Sequence, residues 1–364
     1  MPKKKSTEVD YSSPTQERVI KSLRDLGFIS LSDPDIGVKV RRCLPTGIAC
    51  MDIMSARDVQ GIWGLPFGRQ IEIFGKPDSG KTSLALQVTA AAQRAGYITA
   101  WIELEHSLNR ERASTIGVNI DDLHISTPDF LEQALTQLKR LVLEIPPHDS
   151  EYYKEDEGLV VSLDSLSAAM TRKEFEGEDD DPSQPGAWQK RMAKFMRRMR
   201  KEIGVRNVIV VYTNQVYANI GAFGFGKKTQ AFGGNAPKYY CGLRFETTYT
   251  GKLKNSNGDI VGITFNLENV KNKCLAPFKK FDGLEFKFDR GFNVEQALLY
   301  AMLDRGLAKK KGSKYTIEGV ESEVTMADFV KRGIAEPEFA ERLRLAIDKR
   351  NSQDDQSQGS DKEC

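Results

Sequence analysis

The chain has 364 residues, 40% of them hydrophobic and 29% charged, which is enough apolar material for a sizeable core and rules out wholesale disorder. Lys and Arg number 53 against 51 Asp and Glu, a net charge of +2, so any surface for nucleic acid must be local. No apolar run approaches the roughly 18 residues that cross a bilayer, no secretory stretch follows Met1-Pro2-Lys3-Lys4-Lys5, and Cys43, Cys50, Cys241, Cys274 and Cys364 contain no C-x-x-C pair. These features predict a reduced, cytoplasmic protein with no membrane partner.

In chain order, Val19, Ile20, Leu23 and Leu26 have helical spacing, with Gly27 just past the end. The spacing predicts a small N-terminal helix that packs on something other than the main core. Strands are then expected at Gln70–Phe74, Tyr97–Leu104, Leu159–Leu163 and Asn207–Tyr212, and helices at Lys81–Arg94, Phe130–Leu143 and Ala187–Ile203. Such alternation implies βαβ units and a mostly parallel sheet covered by helices. From Leu243 the pattern changes to apolar–polar alternation over Leu243–Leu253, Ile260–Val270 and Leu284–Phe288, with turn residues at Asn255–Gly258. Antiparallel strands extending the sheet fit this pattern. The expected divisions are 1–45 (tail and helix, for oligomerisation), 46–290 (α/β core), 291–350 (small C-terminal domain) and 351–364 (disordered polar, mildly acidic tail).

The segment Gly75-Lys76-Pro77-Asp78-Ser79-Gly80-Lys81-Thr82, followed by Ser83, matches G-x-x-x-x-G-K-[ST] between a predicted strand and a predicted helix. Glycines let backbone N–H groups turn toward phosphate oxygens, and a helix N-terminus favours negative charge. Lys81 would neutralise the β/γ oxygens of a nucleoside triphosphate and Thr82 would ligate Mg²⁺. Asp164, ending the run Leu159-Val-Val-Ser-Leu, is the expected second metal ligand; a helix N-cap is its other reading.

Several further segments narrow the class. They are Trp101-Ile-Glu103-Leu-Glu105-His106, Gly117–Leu123, Thr213-Asn214-Gln215, Gly233-Gly234-Asn235-Ala236 and Val270-Lys271-Asn272-Lys273 through Lys279. Together and in order, from Thr46-Gly47 to Gly306, they resemble the RecA family of recombinases, bacterial or phage-encoded. The resemblance implies a RecA-like P-loop ATPase core with ATP and Mg²⁺ as cofactors. It also implies a helical filament on single-stranded DNA that pairs with homologous duplex DNA and exchanges strands, the hydrolysis being DNA-dependent. A ring helicase on the same fold and a strand-coating protein with little hydrolysis are the alternatives.

By the same resemblance Glu105 is the general base, with Glu103 ranked second. Gln215 senses the γ-phosphate, and Lys271 and Lys273, two residues apart on one strand face, reach a neighbour's ATP. Tyr239 matches an interface aromatic. Arg112 stands where the family places an adenine-stacking tyrosine; a guanidinium can also stack on a base. The stretch Val216–Gly234 is expected to be a glycine-rich loop, the family's second DNA loop. Its Tyr217, Phe223 and Phe225 suit bases, its Lys227 and Lys228 suit phosphates, and Gly233 and Gly234 close it. The first DNA loop, Glu174–Gly186, carries Asp179-Asp180-Asp181, an acidic run that repels phosphate. The helix after it compensates, because seven of the twelve residues from Lys190 to Lys201 are basic and none is acidic. Lys190 and Arg197 hold the family's contact positions, while Met192, Phe195, Met196 and Met199 form the apolar stripe.

Overall fold

The computed structural model describes residues 13–28, 40–177, 186–218 and 229–360. The N-terminal unit is a helix, α1 (Pro14–Asp25), opened by a capping box in which Ser13 and Gln16 exchange hydrogen bonds, with Pro14 in the first turn. It has no buried residues, and its Val19 and Leu23 are exposed.

In the main unit, β1 (Arg69–Gly75) leads through the phosphate loop into α2 (Lys81–Arg94). There follow β2 (Ile98–Glu103), α3 (Arg110–Ile116), β3 (Leu123–Ser126), α4 (Leu131–Glu144), β4 (Leu159–Asp164), α5 (Ala187–Gly204) and β5 (Val208–Ala218). A short strand, β6 (Thr229–Ala231), returns along the end of β5. Three long strands complete the sheet: β7 (Leu243–Lys254), β8 (Ile260–Asn272) and β9 (Lys279–Lys287).

The order across the ten-stranded sheet is Gly291–Phe292, β9, β8, β7, β1, β5, β4, β2, β3, with β6 on β5. From β7 to β3 every pairing is parallel, and from β7 outward through β8 and β9 it is antiparallel. The α/β reading with an antiparallel extension therefore holds. The β7–β8 turn closes as its residues dictate, with the Asn255 side chain accepting from the N–H groups of Asn257 and Asp259.

α2 is buried from Ser83 to Ala92, and its alanines let it lie close against the sheet. α5 turns Trp188, Met192, Met196, Met199 and Ile203 inward and leaves its basic residues outside. At the opposite end of the strands from the phosphate loop, the link from α4 to β4 is held by Asn207, which is 1% exposed. Its amide donates to the carbonyls of Glu157 at 3.1 Å and Glu155 at 3.2 Å.

Beyond the sheet come α6 (Val294–Asp304), a hairpin of Ala308–Lys311 with Lys314–Ile317, α7 (Met326–Ala335) and α8 (Pro337–Ser360). Phe329, Phe339, Leu343 and Ile347 join one apolar cluster with Ile48, Met51 and Leu298, so this C-terminal piece shares its core with the sheet. α8 continues to Ser360, ten residues beyond the end at Arg350 that composition indicates. Once Phe339, Leu343 and Ile347 fix the first turns, each added residue costs only propagation, not nucleation.

Candidate nucleotide and polynucleotide site

The carboxyl ends of β1, β2, β4 and β5 lie side by side and carry the predicted chemistry. Register pairs Gly75 with Gln215 and Glu103 with Asp164, so the phosphate loop and three predicted polar residues share one edge. At the start of the loop, a Cβ on Gly75 would come 2.3 Å from the carbonyl oxygen of Thr247, so only glycine lets β1 and β7 meet there. Asp78 and Gly80 take positive φ, 57° and 86°, a turn that gathers backbone N–H groups into an anion-binding concavity. The Ser79 hydroxyl fixes this turn, donating to the Lys76 carbonyl at 2.7 Å and lying 2.7 Å from the Thr247 hydroxyl. Pro77 lies within this turn, and Ser83 is buried in the first turn of α2.

Lys81 is 8% exposed and donates to the Lys76 carbonyl at 2.8 Å. Burial pulls its pKa below the usual lysine value, opposed by Asp164, Glu105 and Asp78. A buried cation facing a backbone concavity suits a polyphosphate. Asp164, 1% exposed, accepts a hydrogen bond from Thr213, while its Oδ2 is buried with no hydrogen-bond partner among the described residues. Burial raises its pKa to about 6, opposed by the hydroxyls of Thr213 and Thr82. An unspent carboxylate oxygen beside a threonine hydroxyl is the donor chemistry a magnesium ion takes, so Thr82 and Asp164 fit the metal.

Glu103 and Glu105 part company at the end of β2. Glu103 is 3% exposed, and its two oxygens accept from the Trp101 indole at 2.7 Å and the Ser107 N–H at 3.1 Å. The second-ranked base is thus occupied in holding the loop. Glu105 is exposed and accepts from Gln215 Nε2 at 3.5 Å. Arg112 is exposed in the first turn of α3, where its N–H is capped by Asn109 at 2.8 Å; no hydrogen bond of its side chain ties it to the phosphate loop.

Gln215 does not end its strand as expected. β5 runs on to Ala218 because β6 supplies partners, Val216 with Ala231 and Ala218 with Thr229, so the base of the glycine-rich segment is a paired ribbon. Tyr217 is 49% exposed on it. Phe223, Phe225, Lys227 and Lys228 lie outside the described residues, as does the Asp179-Asp180-Asp181 run. Lys190 and Arg197 are exposed on α5, while the neighbouring Arg191 is paired with Glu132 at 2.8 Å. Gly233 and Gly234 take φ of 84° and 67°.

Lys271 pairs with Arg244, and Arg244 with Glu72, three residues before Gly75. It donates to the carbonyls of Lys238 and, at 3.1 Å, Tyr239. Burial and then Lys273 lower its pKa to about 8. β8 stops at Asn272, so Lys273 stands one residue beyond the strand face on which both lysines were expected. The Asn272 side chain turns the chain there by accepting from the Cys274 and Leu275 N–H groups at 2.6 and 2.9 Å. Tyr239 is 67% exposed.

Sequence reasoning missed a buried link between these parts. Glu72, fully buried, accepts from Arg244 and, at 2.7 Å, from Asn214, and the Asn214 amide also donates to the Phe232 carbonyl at 2.9 Å. A glutamate set between Ile71 and Ile73 in a predicted buried strand was the available signal, since such a charge is buried only when paired.

Comparison with known proteins gives the family. The family model for the RecA N-terminal domain matches residues 28–293. The chain is 35% identical over 276 residues to Protein RecA of Syntrophus aciditrophicus, covering 76% of this chain and 75% of that one. It is 36% identical over 300 residues to Protein RecA of Borrelia hermsii, covering 81% and 80%, and 33% identical over 315 residues to that of Pseudomonas fluorescens, covering 86% and 84%. With its parallel sheet, phosphate loop and matching domain, the chain belongs to the RecA family.

Proposed function

We propose that the chain is an ATP-dependent DNA recombinase that assembles on single-stranded DNA, pairs it with homologous duplex DNA and exchanges strands. One observation carries the reading. The strand that brings Gln215 to the phosphate edge runs without a break into the ribbon that presents Tyr217, so nucleotide state and polynucleotide grip share one element.

In this reading the loop N–H groups and Lys81 hold the polyphosphate, and Thr82 and Asp164 hold Mg²⁺, which when bound supplies positive charge at the β/γ oxygens. Glu105 takes the proton of the attacking water. Gln215 changes partner from Glu105 to the terminal phosphate and carries β5 with it. Lys271, level with Glu72, and Lys273, just past the end of β8, stand away from their own phosphate loop and serve a neighbouring copy's ATP in a helical filament. Arg112 lies against the adenine. Lys190 and Arg197 neutralise DNA phosphates and Tyr217 stacks on a base. Phe223, Phe225, Lys227 and Lys228 extend that grip, with Gly233 and Gly234 as its pivot.

The test is ATP-dependent strand exchange with Lys81→Ala and Glu105→Ala, expected to be lost in both; undiminished exchange overturns the assigned roles. Electron microscopy with an ATP analogue and single-stranded DNA should show helical filaments, and closed rings would indicate a motor instead.

A further inference from the structure

Three aromatic rings from separate segments meet at the root of the polynucleotide-facing region. Trp188, in the first turn of α5, is 4% exposed, and its indole N–H has no hydrogen-bond partner among the described residues. Phe232 meets it edge-on, with centroids 4.9 Å apart and planes at 68°, and Tyr217 meets Phe232 at 5.8 Å and 60°. Phe232 is tied by its backbone to the nucleotide edge: its N–H donates to the Gln215 carbonyl at 2.9 Å and its carbonyl accepts from Asn214 at 2.9 Å. The next residue leaves no room for slippage, because a Cβ on Gly233 would sit 2.4 Å from the Trp188 ring.

We propose that Tyr217, Phe232 and Trp188 form a clasp that joins α5 to β5, with Trp188 a positioning residue that sets Lys190 and Arg197 relative to Tyr217. The inference rests on the recombinase reading for its ligand and extends it to how two separate segments grip one strand together. A shift of Gln215 moves Phe232 through the backbone hydrogen bond. Phe232 presses on Trp188, and Trp188 lies two residues before Lys190 on a rigid helix. The cation-bearing helix and the stacking ring therefore change pose as a unit. Packed rings respond to such a push by moving together, since a close-packed contact yields by displacement and not by compression.

Two measurements on the full chain test this. The first is the affinity for a fluorescein-labelled oligo-dT with and without a non-hydrolysable ATP analogue and Mg²⁺. Phe232→Ala should lose roughly five-fold or more of the tightening the nucleotide produces, and Phe232→Tyr should restore it; an undiminished ratio in Phe232→Ala overturns the clasp. The second needs no DNA: the emission of Trp188, taken as the difference between wild type and Trp188→Phe. It should shift when the analogue binds and stop shifting in Gln215→Ala. Absence of that shift in the wild type overturns the clasp as well. A wild-type protein that ignores the oligonucleotide while the shift persists sinks the recombinase reading and supports the clasp.

Discussion

The Trp101 indole N–H donates to Glu103 Oε2 at 2.7 Å across one face of β2, leaving Glu105, two residues on, as the exposed carboxylate that meets Gln215 at the phosphate edge. One carboxylate is thus buried and spent on Trp101 and Ser107, and the other is exposed. Glu105→Gln should reduce ATP hydrolysis by a factor of roughly a hundred or more while a fluorescent ATP analogue still binds. Glu103→Gln, which keeps one acceptor, should cost about ten-fold or less, by loosening the Ser107 turn. Steady-state phosphate release on the two variants checks the order; equal losses would restore Glu103 as a rival base.

Glu72 and Arg244 form an ion pair whose side chains are 0% and 9% exposed, with the Arg244 guanidinium 4.4 Å from the centre of the Phe74 ring. Removing one partner strands the other in a low dielectric. Arg244→Met should destabilise the protein by about 3–5 kcal/mol. The Arg244→Met, Glu72→Met double variant should recover much of that loss, as seen in denaturant midpoints.

Asp52 gives the stability a pH dependence. It is buried, accepts from the Thr46 N–H at 2.8 Å and hydroxyl at 2.7 Å, and pairs with Arg344 at 3.3 Å. Burial lifts its pKa from 3.8 to about 6, against the opposing pull of Arg344. Between those values the native state holds a proton that the unfolded chain has released. The contribution to stability is full below 3.8 and disappears as pH rises through about 6. Its size is on the order of 2–3 kcal/mol. Asp52→Asn should flatten this part of the curve, read as the difference in unfolding free energy between variant and wild type across the window. A parallel pair of curves would refute the assignment.

Lys190 and Arg197 are exposed on α5 and should act on DNA through counterion release. Alanine at either should lower the slope of log affinity against log salt by about 0.7 for a single strand, with similar effect on every sequence. Anisotropy titrations at several salt concentrations check this, and an unchanged slope would remove that residue from the contact set.

Much of the fold was legible because its signals are local. The α2 helix begins at Lys81 and ends at Arg94 as its Ala- and Leu-rich run indicates, and β4 ends on Asp164 one residue past the predicted stop. The phosphate loop was readable because its glycines and lysine are contiguous. What escaped was non-local. β3 carries only four residues, with His124 and Ile125 exposed, so it shows no strand alternation. Only the partner strand Thr229–Ala231 tells that β5 continues past Gln215. Trp188 reads as one more apolar residue of a helix until Phe232 and Gly233, more than forty positions away, are placed against it. The different fates of Glu103 and Glu105 likewise depend on Trp101 and Ser107, which spacing alone cannot weigh.

The anchoring of the α4–β4 link by Asn207 has a practical side. That link sits at the end of the strands remote from the phosphate edge, its Tyr152 is 72% exposed, and its carbonyls converge on one amide. The Tyr153 hydroxyl also meets the amide, at 3.1 Å, so foreign sequence spliced in on the N-terminal side of Tyr152 would keep the amide's contacts with Tyr153, Glu155 and Glu157 together and lie far from the phosphate edge. An epitope or fluorophore grafted there would give a handle for watching assembly on single molecules without disturbing the chemistry.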